Sequence, residues 1–178
     1  MFTRILVGLD GSDHARKALG IGIRLAKCDH ASLVLVRAVS DKPLSEAERK
    51  LEETEFGIRG LEERLPATAI TDAIGDPRLR LSVTHEKTPD APLLARTELA
   101  QLMLEEARED AIKAGVAEVD LRVDVGDPAK LILDVAKSEK ADLIVIGSRG
   151  LSNIQGLVLG STSYKVTHLA SCSCLTVT

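Results

Sequence analysis

The sequence predicts an α/β protein whose core is a five-stranded, doubly wound parallel sheet in a three-layer α/β/α arrangement. Apolar residues make up 44% of the 178 residues, and 71 residues are Ala, Val, Ile or Leu, whereas the chain has two Phe, one Tyr and no Trp. Short aliphatic runs alternate with segments of helical periodicity, as in sheets that helices cover on both faces. We therefore expect a single domain over residues 1–178 with an insertion at about 41–94.

The first βαβ unit is predicted between residues 4 and 39. Arg4 to Asp10 is a nearly continuous aliphatic run, which predicts a buried strand, and Ser32 to Val39 repeats the pattern. Between them, Ser12 is a candidate N-cap for a helix from Asp13 to Cys28. The predicted buried face of this helix consists of Ala15, Ala18, Leu19, Gly22, Leu25 and Ala26. A helical crossover of this kind joins parallel strands with right-handed connectivity.

The second half of the chain resumes the alternation. The predicted elements are a helix over 95–114, a strand over 119–125, a helix that starts at 126–128, a strand over 142–147, a helix over 161–169 and a strand over 175–178. The run Leu143–Ile146 is the most hydrophobic in the chain, so we expect it in the centre of the sheet. Five strands joined by helical crossovers form a doubly wound sheet.

The segment Asp41–Leu94 departs from this alternation. It holds 12 acidic and 8 basic residues, so the whole net charge of −4 lies within it. Ser45 and Glu48 form a capping box at the start of an apolar seam over 44–65, which predicts an inserted helix. Residues 79–83 alternate apolar and polar side chains after a Gly-Asp-Pro turn, which suggests a small β-hairpin. The inserted helix is expected to pack on its own domain, and a protein partner at 41–94 is the alternative.

Composition excludes several classes of function. A net charge of −4 and 2% aromatic residues argue against nucleic-acid binding, which needs a basic surface and stacking rings. No uninterrupted apolar run approaches 18 residues, so we expect no membrane span. The three cysteines and the lack of a leader pattern predict a reduced, cytoplasmic protein. His168, Cys172 and Cys174 lack an evident fourth ligand, so zinc is not expected there.

Two glycine-containing turns are expected to face one crevice. In a doubly wound sheet, the ligand lies beyond the carboxyl ends of the strands where strand order reverses, and here those ends are Gly8–Ser12 and Gly147–Gly150. A helix amino end at Gly160, Ser161 and Thr162 adds free amide groups and two hydroxyls, which favour phosphate. The P-loop and Gly-x-Gly-x-x-Gly patterns are absent. The residues thus predict a site for a phosphorylated small molecule, although each glycine alone is also explained by turn formation.

The arrangement Gly147-Ser-Arg-Gly150, nine residues, then Gly160-Ser161 resembles that of the universal stress protein A family. The stretches ILVGLDGS at 5–12, GDPAKLILDVAKSEKADLIVIGSRG at 126–150 and LVLGSTSYKVTHLASCSCLTV at 157–177 carry the resemblance, which covers about 124 residues. It implies a Rossmann-like, adenine nucleotide alpha hydrolase-like fold. It also implies ATP, ADP or AMP as ligand, Mg²⁺ bound through the nucleotide, and a homodimer formed through the terminal strand at 174–178.

The resemblance further implies roles for individual residues. Asp10 matches the carboxylate near the ribose and the metal, Gly8 and Leu9 flank the base, and the backbone of Ala38 reads the adenine edge. The remaining positions are Ile146 and Gly147, which correspond to backbone contacts with ribose and phosphate, and Gly150, Gly160, Ser161 and Thr162, which correspond to the triphosphate cradle.

Three functions follow as hypotheses. The first is a regulatory protein that binds an adenine nucleotide and hydrolyses it slowly at most, because no pair of residues supplies an evident nucleophile and general base. The second is a nucleotide-free, dimeric interaction protein that uses the acidic segment 41–94. The third, an ATP-consuming transferase, would need a second substrate pocket and a recognisable catalytic pair, and is disfavoured.

Overall fold

The computed structural model describes residues 1–40, 79–81, 91–150 and 159–178. The strands in these ranges are β1 (Arg4–Gly8), β2 (Ser32–Val39), β3 (Leu79–Leu81), β4 (Val119–Val125), β5 (Leu143–Gly147) and β6 (Ser173–Val177). The helices are α1 (Asp13–Asp29), α2 (Ala91–Lys113), α3 (Pro128–Ser138) and α4 (Ser161–Leu169). The predicted alternation of strands and helices is therefore present on both sides of the insertion.

The described strands form one parallel sheet in the order β3-β4-β2-β1-β5-β6. The chain builds outward from β1 through β2 to β4, and then returns to place β5 on the other side of β1, where Val7 lies opposite Val145. Strand order thus reverses between β1 and β5, as predicted. The five-stranded, doubly wound parallel sheet is confirmed, and β3 adds a sixth, short strand at one edge.

Helices cover both faces of the sheet and create two apolar cores. Alternate strand residues such as Leu35 and Val145 face α1 and α2, where Ala18 and Leu104 are fully or almost fully buried. The intervening residues, including Ile144, face α3 and α4. Since every interior strand is covered on both sides, the continuous aliphatic runs of the sequence are explained, and the three-layer prediction holds.

Several predicted boundaries are confirmed, and others are wrong by one to four residues. The strands at 32–39 and 119–125 and the helix at 161–169 have the predicted bounds. Helix α2 begins at Ala91 rather than at residue 95, because Pro92 is tolerated in a first helical turn. Strand β6 begins at Ser173 rather than Leu175, since pairing of Ser173 with Leu143 depends on the backbone and not on apolar side chains.

The short strand β3 corrects part of the expectation for the insertion. Leu79–Leu81 pairs in parallel with residues 121–123 of β4, so it extends the main sheet instead of forming an antiparallel pair with its neighbour in sequence. The rest of the predicted hairpin and the predicted inserted helix over 44–65 lie outside the described residues.

Charged side chains join the elements at the amino ends of the strands. The Arg4 guanidinium contacts Asp120 at 2.6 Å and Glu139 at 2.5 Å, and Arg122 contacts the other oxygen of Glu139 at 2.5 Å. These four side chains, here called the amino-end cluster, are between 15% and 26% exposed. Nearby, the Asp142 carboxylate accepts hydrogen bonds from the amide and hydroxyl of Thr3. The cluster therefore ties β1, β4 and the end of α3 together.

Candidate functional site

A cleft of about 540 Å³ opens at the carboxyl ends of the strands, over the point where strand order reverses. All ten site residues predicted from the sequence line it: Gly8, Leu9, Asp10, Ala38, Ile146, Gly147, Gly150, Gly160, Ser161 and Thr162. These residues come from the ends of β1, β2 and β5 and from the start of α4. The fold thus brings together segments that are up to 154 positions apart in the chain.

The turn after β1 forms one wall of the cleft. The Leu9 amide donates to the carbonyl of Val36 at 2.8 Å and extends the β1–β2 pairing by one bond. The Asp10 carboxylate accepts a hydrogen bond from the Ser12 amide at 2.9 Å, and Gly11 between them has φ of 91°, a left-handed conformation that suits glycine. This local bonding fixes the position of the Asp10 carboxylate at the edge of the cleft.

The turn after β5, residues 148–150, forms the facing wall and is held to its neighbours by hydrogen bonds. The Ser148 amide donates to the Val177 carbonyl of β6 at 2.6 Å, and the Ser12 hydroxyl donates to the Arg149 carbonyl at 3.3 Å. A Cβ at Gly150 would lie 2.6 Å from Oδ2 of Asp10, so a side chain at this position would displace the Asp10 carboxylate.

Gly147 has a packing role as well as a place in the cleft. A Cβ there would lie 2.9 Å from the carbonyl carbon of His14 and 3.0 Å from the amide nitrogen of Ala15. Both are backbone atoms of the first turn of α1, which leaves no room for a side chain. Glycine at this position lets α1 approach the end of β5 and so sets the width of the cleft.

Three helices begin at the cleft, and their amino ends differ. The Ser12 hydroxyl accepts from the Ala15 amide and caps α1, and the Asp127 carboxylate accepts from the Lys130 amide and caps α3. Gly160 precedes α4, and the described residues place no side-chain cap on that end. The first amides of α4 thus have no side-chain acceptor among the described residues, and the partial positive charge of a helix amino end favours an anion.

Hydrogen bonds attach the start of α4 to the turn after β5. The Gly160 amide donates to the Ser148 carbonyl at 2.7 Å. The Ser163 hydroxyl lies 2.9 Å from the same carbonyl and 2.9 Å from the Gly160 carbonyl. Ser163 is only 3% exposed although it borders the cleft. The triplet of Ser148, Gly160 and Ser163 is therefore the junction between β5 and α4.

Sequence reasoning missed several charged residues of the cleft. Arg37, Arg96 and Arg149 line it together with Asp127. Arg37 is buried although it lies within the aliphatic run of β2, and a charge within such a run was the available signal. Arg96 donates to the Ser40 carbonyl at 3.0 Å, a contact between distant residues that no local pattern indicates. The lining thus carries positive charge in a chain with a net charge of −4.

The Asp127 carboxylate, at the rim of the cleft, is bonded to other groups of the protein. Hydrogen bonding from the Lys130 amide, followed by the Lys165 ammonium at 3.1 Å, lowers the pKa of this carboxyl group below its usual range. The ion pair links the start of α3 to α4. Asp10, the other carboxylate of the described lining, forms no ion pair with a described residue and accepts a hydrogen bond from the Ser12 amide.

Cys172 and Cys174 lie away from the cleft and pack against the core beneath α3 and α4. Burial raises the pKa of both thiols. The His168 ring stacks on Tyr164 with a centroid distance of 4.2 Å.

In the ranges that the structure describes, no group of three or more His, Cys, Asp or Glu side chains is arranged to hold a metal ion. Within the same ranges, no helix has the length and apolar character required to span a membrane.

Comparison with known proteins gives a consistent result. The model of the universal stress protein family matches residues 1–178. A universal stress protein of Bacillus subtilis, YxiE, is 30% identical over 177 residues, with 99% of each chain covered. The universal stress protein UspA of Lactobacillus plantarum has a similar structure, with a TM-score of 0.68, 21% identity, and coverage of 99% of this chain and 97% of that one. A universal stress protein solved in complex with cAMP has a TM-score of 0.60, 25% identity, and coverage of 99% and 97%.

Proposed function

Because the chain belongs to the universal stress protein family, we propose that it binds an adenine nucleotide, ATP or the related ADP or AMP, and acts in a regulatory role. The observation that carries this proposal is the amino end of α4, which has no side-chain cap among the described residues and opens into the cleft that all ten predicted residues line. The relative solved in complex with cAMP supports an adenine nucleotide as the ligand class.

The phosphates belong at the α4 side of the cleft. Gly150, Ser161 and Thr162 provide backbone amides there, the last two add hydroxyls, Gly160 leaves room for the phosphates because it has no side chain, and Arg149 adds a cation to the same wall. Phosphate oxygens accept charge-assisted hydrogen bonds from such groups without a specialised loop. Ile146 and Gly147, at the end of β5, supply the backbone that faces the ribose and the first phosphate.

The base belongs between the ends of β1 and β2. Gly8 and Leu9 form one side of this part of the cleft and Ala38 the other, with Val39 and Leu99 as aliphatic walls. The described lining contains no aromatic ring, so the base is held by aliphatic contact and by backbone groups rather than by stacking on a Trp or Tyr side chain. A backbone edge at Ala38 suits the mixed donor and acceptor edge of adenine.

A magnesium ion fits this site as a companion of the nucleotide. Mg²⁺ is commonly held by one or two carboxylates together with substrate phosphates, and Asp10 offers one carboxylate oxygen that faces Gly150 across the cleft. The ion would neutralise phosphate charge. Among the described lining residues no nucleophile and general base lie together, so any hydrolysis is slow and uses water near Asp10.

The same proposal includes a cytoplasmic homodimer formed through residues 174–178. β6 is the last strand in the sheet order of the described residues, so one of its sides has no described strand paired with it. Leu169 is 68% exposed and Leu175 is 36% exposed beside this edge, which gives the surface apolar side chains for a second copy.

The proposal is tested by calorimetric titration of ATP, AMP and cAMP into the full chain and into Gly160→Val. The backbone at Gly160 is extended, with φ −73° and ψ 163°, which valine adopts readily, and a Cβ there would lie 3.4 Å or more from its nearest neighbours. The fold should accept the substitution while the side chain crowds the phosphates. We expect ATP affinity to fall about tenfold or more, since charge-assisted hydrogen bonds are worth roughly 1.5–3 kcal/mol.

Gly20→Val is the matched control. Gly20 is exposed on α1, and nothing lies within 4 Å of its added Cβ, so this variant should bind ATP like the wild type. Wild-type protein that binds none of the three nucleotides would overturn the proposal. Full ATP affinity in Gly160→Val would show that the amino end of α4 is not the phosphate site.

A further inference from the structure

We propose that Ser163 is a positioning residue for the anion-binding end of α4, with its hydroxyl holding the first helical turn against the turn after β5. The residue does not itself contact the phosphates in this scheme. It aligns the amide groups that do. This inference rests on the proposed nucleotide function. It states that the buried Ser163 hydroxyl supports the affinity for the phosphate groups of the nucleotide and not the affinity for the nucleoside.

The carbonyl of Ser148 is the centre of the contact. It accepts the Gly160 amide at 2.7 Å and the Ser163 hydroxyl at 2.9 Å, so both of its lone pairs have a donor. Gly160 precedes α4 and Ser163 is the third residue of the helix. One oxygen atom therefore fixes two points of the first turn, which sets the direction of the helix axis as well as its position.

The turn after β5, to which α4 is attached, is itself held in place by hydrogen bonds. The Ser148 amide donates to the Val177 carbonyl at 2.6 Å, and the Ser12 hydroxyl donates to the Arg149 carbonyl. The turn after β5 is thus tied to β6 on one side and to α1 on the other. Loss of the Ser163 hydroxyl should leave that turn in place and release only the start of α4.

The bonding of Ser163 also keeps the helix end open. In a capping box, the side chain at the third helical position reaches back to the amide of the N-cap residue and covers it. Here the Gly160 amide already has the Ser148 carbonyl, and the Ser163 proton is directed to the Ser148 and Gly160 carbonyls. The side chain therefore anchors α4 without covering the amide groups at its amino end.

The inference predicts a defect that depends on phosphate. In Ser163→Ala we expect ATP affinity to fall about five- to tenfold, the range of one buried hydrogen bond, and adenosine affinity to stay within about twofold of the wild type. Both ligands are measured by calorimetry, with direct titration for ATP and competition for adenosine. Thr167→Ala is the matched control, since that exposed hydroxyl on the same helix donates only to the Ser163 carbonyl, within α4, at 2.7 Å.

Each outcome has a distinct meaning. Equal loss of ATP and adenosine in Ser163→Ala would overturn the inference, because a merely structural role would affect both ligands alike. Wild-type ATP affinity in Ser163→Ala would overturn it and leave the proposed function intact. Wild-type protein that binds neither ligand would remove the proposed function and this inference with it. An unchanged Thr167→Ala variant supports the assignment to Ser163.

A second variant covers the case in which Ser163→Ala does not fold. Ser163→Thr retains the hydroxyl and adds one methyl group, so the ratio of ATP to adenosine affinity should stay within about twofold of the wild-type ratio, whatever the absolute affinities. A ratio that falls as far as predicted for Ser163→Ala would contradict the inference, since the hydroxyl is still present.

Discussion

The two ends of the sheet satisfy their polar groups in opposite ways. At the amino ends of the strands, charged side chains pair with one another, and the Glu139 carboxylate forms ion pairs with both Arg4 and Arg122. At the carboxyl ends, glycine turns and the start of α4 present backbone amides that the described residues leave without a side-chain cap. The amino end is thus closed by paired charged side chains, whereas at the carboxyl end the hydroxyls of Ser12 and Ser163 bind backbone carbonyls and the first amides of α4 have no side-chain cap among the described residues.

From this difference we expect stability and ligand binding to depend on opposite ends of the sheet. The amino-end cluster and the cleft lie at opposite ends of the strands. Disruption of the cluster should therefore lower the free energy of unfolding without changing ligand affinity. Substitutions at the start of α4 should have the reverse effect. The predictions below test whether the two properties are independent to this degree.

The largest effect is expected at Gly147, which lines the cleft and also packs against α1. Gly147→Ala places a Cβ 2.9 Å from a backbone atom of His14, so α1 or β5 must shift. Overpacking of this kind costs about 3 kcal/mol, which corresponds to a fall of roughly 6–12 °C in melting temperature for a domain of this size. Differential scanning calorimetry provides the measurement.

Gly20→Ala is the control for Gly147→Ala, because it adds the same methyl group to an exposed helical position with open space around it. We expect that control to be neutral or to stabilise by up to about 1 kcal/mol. A melting temperature of Gly147→Ala equal to that of the wild type would show that the close approach of α1 to β5 is not required.

A smaller loss of stability is expected from Glu139→Gln in the amino-end cluster. The substitution removes the charge that faces Arg4 and Arg122 and leaves two guanidinium groups with one fewer partner. These side chains are mostly buried, so we expect a loss of about 2 kcal/mol in urea unfolding. ATP affinity should be unchanged, and a parallel loss of affinity would contradict the independence of the two ends.

The smallest effect concerns pH. Burial opposes ionisation of Glu139, but hydrogen bonds from Arg122 and Arg4 outweigh it and lower its pKa below the ordinary 4.5. Hydrogen bonds from Thr3 and Arg4 likewise outweigh burial and lower the pKa of Asp142. A lowered pKa in the folded state adds stability above the ordinary value, and this is lost as pH falls through the folded-state pKa.

Urea unfolding of the wild type and of Glu139→Gln at pH 7, 5, 4 and 3 tests this dependence. The stability difference between the two proteins should be full at pH 7 and shrink as pH falls below about 4.5. A difference that stays constant down to pH 3 would show that ionised Glu139 does not stabilise the fold.

The sequence was sufficient for the main sheet and for ten of the residues that line the cleft. Aliphatic runs such as Leu143–Ile146 predict interior strands because burial on both faces removes alternation, and glycine turns follow directly from the ends of those strands. The meeting of the ends of β1 and β5, where Gly8 lies opposite Ile146, could be predicted because a parallel, doubly wound sheet places both strand ends at the same edge.

The remaining features depend on contacts between distant residues. Nothing local indicates that Leu79–Leu81 pairs with β4, because a three-residue strand has too short a pattern to reveal its partner. Arg96 enters the cleft through its contact with Ser40, 56 positions earlier. The role of Ser163 depends on an acceptor 15 positions away, so the sequence alone marked it only as a helical residue.

The placement of β3 has a consequence for assembly. A parallel sheet with two long open edges can add copies of itself at both ends and grow into a filament. In the part of the chain that the structure describes, the outermost strand at one side is the three-residue β3, which pairs with three of the seven residues of β4, whereas the outermost strand at the other side is the five-residue β6. Among the described strands, β6 is therefore the longer outer strand, and it is the one that a second copy would extend in the dimer proposed above.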